Sequence, residues 1–131
     1  MSLFLFGGIA LVAAVFYFRM KSASQPTVSP QEAADAAVNG TAVIIDVREA
    51  PEWNGGVAAP AFLLALSDLK GARSAWGPVL EKNRDKRLLL YCQAGMRAGM
   101  AAALLASEGF KAENMGGYPQ WVKSGLPVRT P

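Results

Sequence analysis

One stretch decides the fold of this chain: Leu88-Leu89-Leu90-Tyr91-Cys92-Gln93-Ala94-Gly95-Met96-Arg97. An apolar run ends abruptly at a thiol, a short loop with glycine and arginine follows, and an alanine-rich helical pattern comes next. This order places Cys92 at the carboxyl end of a buried strand and beside a helix amino terminus, the edge of an α/β sheet where ligands bind. The unpaired N–H groups and partial positive charge of that terminus favour a thiolate. The sequence therefore predicts a nucleophilic sulfur in an anion-binding loop.

Apolar runs alternate with helical patterns along the rest of the chain. Ser29 is predicted to cap a helix that ends at Asn39-Gly40, and the β-branched run at 42–47 is typical of a buried parallel strand. Further elements are expected at 49–53 (helix), 61–66 (strand), 67–82 (helical pieces, with Ser74 as a cap), 110–115 (strand) and 119–123 (helical turn). The pattern predicts an α/β fold with about five mostly parallel strands and helices on both faces.

Composition excludes several classes of protein. The 131 residues carry 13 basic and 10 acidic side chains, and without Arg19 and Lys21 the two signs nearly balance. Because basic residues form no stripe with interleaved aromatics, we expect no nucleic-acid partner. Cys92 is the only cysteine and there is no histidine. An internal disulfide, a histidine zinc site and a Ser-His-Asp triad are therefore excluded.

The amino-terminal segment is uncharged and apolar over residues 3–18. We interpret it as a single transmembrane helix that crosses the lipid bilayer. This helix belongs to an anchor at 1–21, which is followed by a linker at 22–28 and a globular domain at 29–131. Basic residues lie only after the segment, which predicts a cell-membrane protein with its domain in the cytoplasm. The alternative is a cleaved signal peptide on an exported protein.

The loop from Cys92 to Arg97 reads C-x-x-G-x-R and carries the chemistry. Gly95 allows a positive φ, so that the loop can curl and aim successive N–H groups inward. Phosphoryl transfer to the thiolate and sulfur transfer through a persulfide both fit such a cradle. Cysteine-dependent phosphatases use C-x5-R, whereas only four residues separate Cys92 from Arg97 here. The tighter loop favours a single terminal sulfur over a phosphate group.

Residues 27–131 resemble a single-domain rhodanese, a sulfurtransferase module. The resemblance rests on four motifs in the family's order: Ile44-Ile45-Asp46-Val47-Arg48-Glu49, Glu52-Trp53-Asn54-Gly55-Gly56, Cys92-Gln93-Ala94-Gly95-Met96-Arg97 and Gly116-Gly117-Tyr118-Pro119-Gln120-Trp121. Two positions depart from the pattern, since Val57 replaces a histidine and Pro60 a glycine.

The resemblance implies a two-step reaction without a metal or organic cofactor. Cys92 would take sulfur from a donor such as thiosulfate or polysulfide and pass it from a persulfide to cyanide, a thiol or a thioredoxin-like partner. It assigns donor binding to the loop residues Gln93, Ala94, Gly95, Met96 and Arg97. It gives Asp46 and Arg48 a supporting role, with Arg48 expected to pair with Glu52.

Two rival functions stay open at this point. The first is a non-catalytic rhodanese-like module that tethers a partner at the membrane, and the second is a phosphatase or arsenate reductase related by fold. The catalytic hypothesis requires main-chain amides that face the sulfur of Cys92, and a sulfur that a donor can reach.

Overall fold

A computed structural model describes residues 8–18 and 25–131 of the chain. Its centre is a four-stranded, all-parallel sheet in the order β3-β1-β4-β5. The strands are β1 (Ala42–Asp46), β3 (Phe62–Leu63), β4 (Arg87–Cys92) and β5 (Lys111–Gly117), while β2 (Val57–Ala58) pairs antiparallel with β6 (Val128–Arg129). The fold is thus α/β with a parallel sheet, as predicted; of the six strands within the described residues, four form the parallel sheet.

Helices cover both faces of the parallel sheet. The described helices are α1 (8–18), which is exposed along its whole length, and then α2 (Pro30–Val38), α3 (Ala50–Trp53), α4 (Leu66–Lys70), α5 (Trp76–Lys82), α6 (Met96–Ser107) and α7 (Tyr118–Lys123). One core cluster joins α4, α5 and α6 to one face of the sheet, and a second joins α2 and α7 to the other. Because β1 and β4 are buried on both sides, they are continuously apolar rather than alternating. Cys92 lies on the α6 face.

Local signals account for most helix boundaries. The hydroxyl of Ser29 accepts a hydrogen bond from the backbone N–H of Glu32 at 3.1 Å, so the predicted cap of α2 is confirmed. The predicted cap at Ser74 is wrong, because the carboxylate of Asp68 accepts from the backbone N–H groups of Ser74, Ala75 and Trp76 at 3.0–3.3 Å. A carboxylate six to eight residues away satisfies the amino terminus of α5, which a local cap motif cannot reveal.

The carboxyl edge of the sheet gathers the residues singled out in the sequence. Asp46 is in register with Tyr91, and Cys92 with Gly117. The register of β5 against β4 shifts between Leu90 and Tyr91, so that one extra residue of β5 is accommodated there. Such irregularities redirect side chains next to a site.

The predicted membrane span is not supported in the part of the chain that the structure describes. Residues 8–18 are helical and exposed, but among the described residues no helix has the length and apolar character needed to cross a bilayer. Residues 1–7, where the predicted span begins, lie outside the described ranges, as do 19–24, which hold the two basic residues and the start of the predicted linker.

Candidate active site

The loop after β4 turns two main-chain amides toward the sulfur of Cys92. The N–H of Gly95 donates to Sγ at 3.0 Å and the N–H of Ala98 donates at 3.4 Å. Gly95 is the N-cap residue of α6 and has a φ of 93°, which non-glycine residues rarely adopt. The sulfur therefore accepts from the open amino terminus of a twelve-residue helix, an arrangement that favours negative charge.

Arg97 forms a bidentate ion pair with Glu52. Its Nη1 and Nη2 donate to Oε1 and Oε2 at 2.6 and 2.9 Å, and both side chains are about one-third exposed. The hydrogen bond from Arg97 is the largest cause that lowers the pKa of Glu52 to about 2, and the same bond raises the pKa of Arg97. The expected pairing of Glu52 with Arg48 is wrong, because Arg97 binds both of its oxygens.

Arg48 and Asp46 form a buried ion pair beneath the loop. Nη2 of Arg48 lies 2.8 Å from Oδ2 of Asp46, and the two side chains are 4% and 0% exposed. Arg48 also donates to the carbonyl of Gly56 at 2.9 Å and to Oε1 of Gln93 at 3.4 Å, and its guanidinium packs over the ring of Tyr118. Burial alone would lower the pKa of Arg48, but the hydrogen bond and charge of Asp46 outweigh burial and raise it. The pair thus connects β1 to the first residue of the loop.

Two residues of β5 hold the loop: Asn114, which the sequence did not single out, and Gly117 of the fourth motif. Nδ2 of the buried Asn114 donates to the carbonyl of Gly95 at 3.0 Å, and its Oδ1 accepts from the N–H of Gly116 at 2.9 Å. A Cβ at Gly117 would clash with the carbonyl oxygen of Gln93, so only glycine permits this approach. A polar residue inside a buried strand is the one sequence signal that points to Asn114.

The residues matched by a family model decide the classification of the chain. The model of the rhodanese-like domain matches residues 29–124, nearly three-quarters of the sequence. The chain belongs to the rhodanese-like family. The match spans β1, β4, the Cys92 loop and the Gly116-Gly117 motif, so the whole candidate site falls within the rhodanese-like domain.

Relatives and solved structures agree with this assignment. The domain is 30% identical over 111 residues to human thiosulfate:glutathione sulfurtransferase, covering 77% of this chain and 96% of that protein. The structure of a human single-domain sulfurtransferase matches with a TM-score of 0.63 at 30% identity, over 76% of this chain and 96% of that one. A rhodanese-related protein from Thermoplasma volcanium matches with a TM-score of 0.67 at 22% identity, over 82% and 100%.

This chain covers less than two-thirds of the length of two further relatives. It spans 55% of the length of an uncharacterised Synechocystis protein that is 30% identical over 104 residues, which cover 78% of this chain. It spans 60% of an uncharacterised Bacillus subtilis protein that is 38% identical over 82 residues, which cover 61% of this chain. The Synechocystis protein is therefore longer than this chain, and only part of it is matched.

The rhodanese-like domain exposes its loop but covers its sulfur. Gln93 and Ala94 are exposed, Met96 is 37% exposed, and Cys92 is 1% exposed. Of the two geometric requirements of the catalytic hypothesis, inward-facing amides are present, whereas an open sulfur is not. A donor can therefore reach Sγ only if the loop moves away from the conformation seen here.

A cleft of about 570 Å³ lies beside the loop of the rhodanese-like domain. Ala94, Gly116, Gly117 and Gln120 line one part of it, and residues 25–30 line another. Within the ranges 8–18 and 25–131, no group of three or more His, Cys, Asp or Glu side chains is placed to hold a metal ion.

Proposed function

We propose that this domain is a sulfurtransferase that moves a sulfane sulfur from a donor such as thiosulfate or polysulfide to a thiophilic acceptor through a persulfide on Cys92. The observation that carries the proposal is the pair of N–H groups, from Gly95 and Ala98, that donate to Sγ at the start of α6. Relatives named as sulfurtransferases at about 30% identity support the same chemistry.

The proposed reaction has two steps, both at the sulfur of Cys92. The Cys92 thiolate attacks the outer sulfur of the donor, a new S–S bond forms, and the donor's own bond to that sulfur breaks with its electron pair on the leaving group. The amides that hold the thiolate also stabilise the terminal charge of the persulfide, as an oxyanion hole stabilises an oxyanion. A cyanide ion or a thiolate, from a small molecule or a thioredoxin-like protein, then attacks the outer sulfur and restores the Cys92 thiolate.

A steady-state assay of sulfur transfer tests this proposal. With thiosulfate as donor and cyanide as acceptor, the wild-type protein should release sulfite and thiocyanate in equal amounts. Cys92→Ser keeps the shape of the loop but has a far weaker nucleophile, so we expect it to lose turnover by more than about a hundredfold. Equal rates for the two proteins, with every donor tried, would contradict the proposal.

One observation favours a second candidate, a non-catalytic interaction module. Cys92 is 1% exposed, and a sulfur that stays covered cannot exchange with a donor. Alkylation of the native protein by iodoacetamide separates the two candidates, because the enzyme needs a loop that opens. Labelling of Cys92 without denaturant is expected for the sulfurtransferase, and labelling only after unfolding would favour the module.

We also propose the membrane as the location of the domain, on the strength of the apolar pattern at residues 3–18 and the basic residues that follow it. The full chain, expressed in bacteria, should stay in the membrane pellet after alkaline carbonate extraction, whereas a chain that begins at Gln25 should not. Release of the full chain into the supernatant would contradict this location.

A further inference from the structure

The positive charge of Arg97, the residue expected to bind an anionic donor, is already balanced by a carboxylate. Both terminal nitrogens of Arg97 are committed to Glu52, at 2.6 and 2.9 Å, in the parallel arrangement that a guanidinium also uses to bind an oxyanion. A donor anion would therefore have to compete with a carboxylate that is held in place. The backbone N–H of Glu49 donates to Oε1 of Glu52 at 3.2 Å and helps to fix that carboxylate.

The neighbouring residues Arg48, Glu49 and Gln93 do not supply a free positive charge in place of Arg97. Arg48 is buried against Asp46 and makes its contacts there, so its charge is also matched. Glu49 lies close enough to act on the charge of Arg97, and Gln93 places an uncharged side chain directly after the nucleophile. The charged groups just named are two guanidinium groups and three carboxylates. Before the thiolate is counted, these five groups therefore carry one net negative charge.

We infer that Glu52, by pairing with Arg97, sets the charge preference of the site, so that the domain takes sulfane-sulfur donors with one negative charge in preference to the thiosulfate dianion. This inference rests on the proposed sulfurtransferase function and adds a specificity-determining residue to it. The main-chain amides at the start of α6 hold the single charge of the transferred sulfur. The second charge of a dianion meets the carboxylate of Glu52.

Two donors with the same reacting atoms isolate this effect. Thiosulfate and methanethiosulfonate differ in that a methyl group replaces one charged oxygen, so the second donor is a monoanion of similar shape. In each case the Cys92 thiolate forms an S–S bond to the outer sulfur, and the bond between that sulfur and the sulfonyl sulfur breaks. The leaving groups, sulfite and methanesulfinate, depart with the electron pair, and no proton or outside oxidant is needed.

The experiment measures kcat/KM for both donors and takes their ratio. In Glu52→Gln the amide oxygen still accepts from the N–H of Glu49, but the negative charge is gone and Arg97 is free to bind a dianion. We expect the ratio of thiosulfate to methanethiosulfonate to rise about fivefold, since one unit of charge at this range in a partly exposed site has an effect of that order. Glu52→Asp retains the charge and should keep the wild-type ratio to within about twofold.

Glu108→Gln is a matched control. Arg73 binds Glu108 with the same two distances, 2.6 and 2.9 Å, and similar exposure, but that pair lies at the other end of α6. Its removal should leave the ratio unchanged. A general loss of surface charge would shift the ratio in both glutamine variants, and that result would overturn the inference.

A measurement on the wild-type protein needs no variant. The preference for methanethiosulfonate over thiosulfate should exceed the preference that free 2-mercaptoethanol shows in solution. A wild-type ratio equal to that of the free thiol, or an unchanged ratio in Glu52→Gln, overturns the inference while sulfur transfer itself stands. If neither donor reacts with Cys92 but polysulfide does, the inference fails while sulfur transfer stands; if none of the three reacts, the proposed function fails as well.

Discussion

At the scale of single residues, the conformation of Gly95 determines whether the sulfur has its amide donors. Its φ of 93° lets the chain turn from β4 into α6 and brings its own N–H within 3.0 Å of Sγ. Its carbonyl oxygen accepts from Asn114 on the opposite side. One glycine thus connects the nucleophile to the neighbouring strand.

Gly95→Ala should lower the free energy of unfolding by about 1 kcal/mol, because an alanine is strained at this φ. It should also slow sulfur loading of Cys92 by more than about tenfold, since relief of the strain turns an amide away from the sulfur. Urea unfolding and the initial rate of sulfite release measure the two effects.

Gly109→Ala is the control, because Gly109 has a φ of 95°, lies after the other end of α6 and has open space around it. Both variants should lose similar stability, and only Gly95→Ala should lose activity. If Gly109→Ala slowed loading equally, the effect would come from stability rather than from the loop.

Sequence reasoning reached some of these residues and missed others for a clear reason. The positive φ of Gly95 and the place of Cys92 follow from residues next to each other in the chain. The partner of Glu52 does not, because Arg97 lies 45 positions away and both Arg48 and Arg97 could reach it. Long-range pairs depend on how α3 and α6 meet, which local patterns do not contain.

At the scale of elements, the Glu52–Arg97 pair joins the short helix α3 to the start of α6. The four-residue α3 has no buried side chain of its own, so contacts at its carboxylates help to place it. Besides Arg97, Glu49 contributes by accepting from the backbone and hydroxyl of Ser67 at 3.1 and 2.7 Å.

The pair should make stability depend on pH in the acid range. The pKa of Glu52 falls from 4.5 to about 2 on folding, so its contribution is present above pH 4.5 and is lost as the pH falls through about 2. At pH 6 we expect the wild-type protein to exceed Glu52→Gln by about 1 kcal/mol, since the pair is one-third exposed and solvent screens it. The difference should approach zero near pH 2.

Urea titrations at several pH values are repeated with Arg97→Gln and with the variant that carries both Glu52→Gln and Arg97→Gln, which completes a double-mutant cycle. Without the guanidinium, the substitution at Glu52 should have little pH-dependent effect. A stability difference that stays constant from pH 6 to pH 2 would contradict the ion pair as its source.

At the scale of the whole molecule, a sheet with helices on both faces places the Cys92 loop at its carboxyl edge. That arrangement was predictable, because uninterrupted apolar strands such as β1 and β4 must be covered by helices on both faces of the sheet. The separate pair of β2 and β6 was not, since each strand has two residues and the paired residues lie 70 and 72 positions apart. Val57, the residue that departs from the family's histidine, is fully buried in β2.

The central claim is that the sulfur beneath this loop accepts a second sulfur. The most direct test is the mass of the Cys92 peptide after brief exposure of the native protein to thiosulfate, methanethiosulfonate or polysulfide, with the reagent removed before alkylation. We predict a gain of one sulfur, about 32 Da, on Cys92 in the wild-type protein and no gain at position 92 in Cys92→Ser. An unmodified Cys92 peptide after treatment with all three donors would contradict the account.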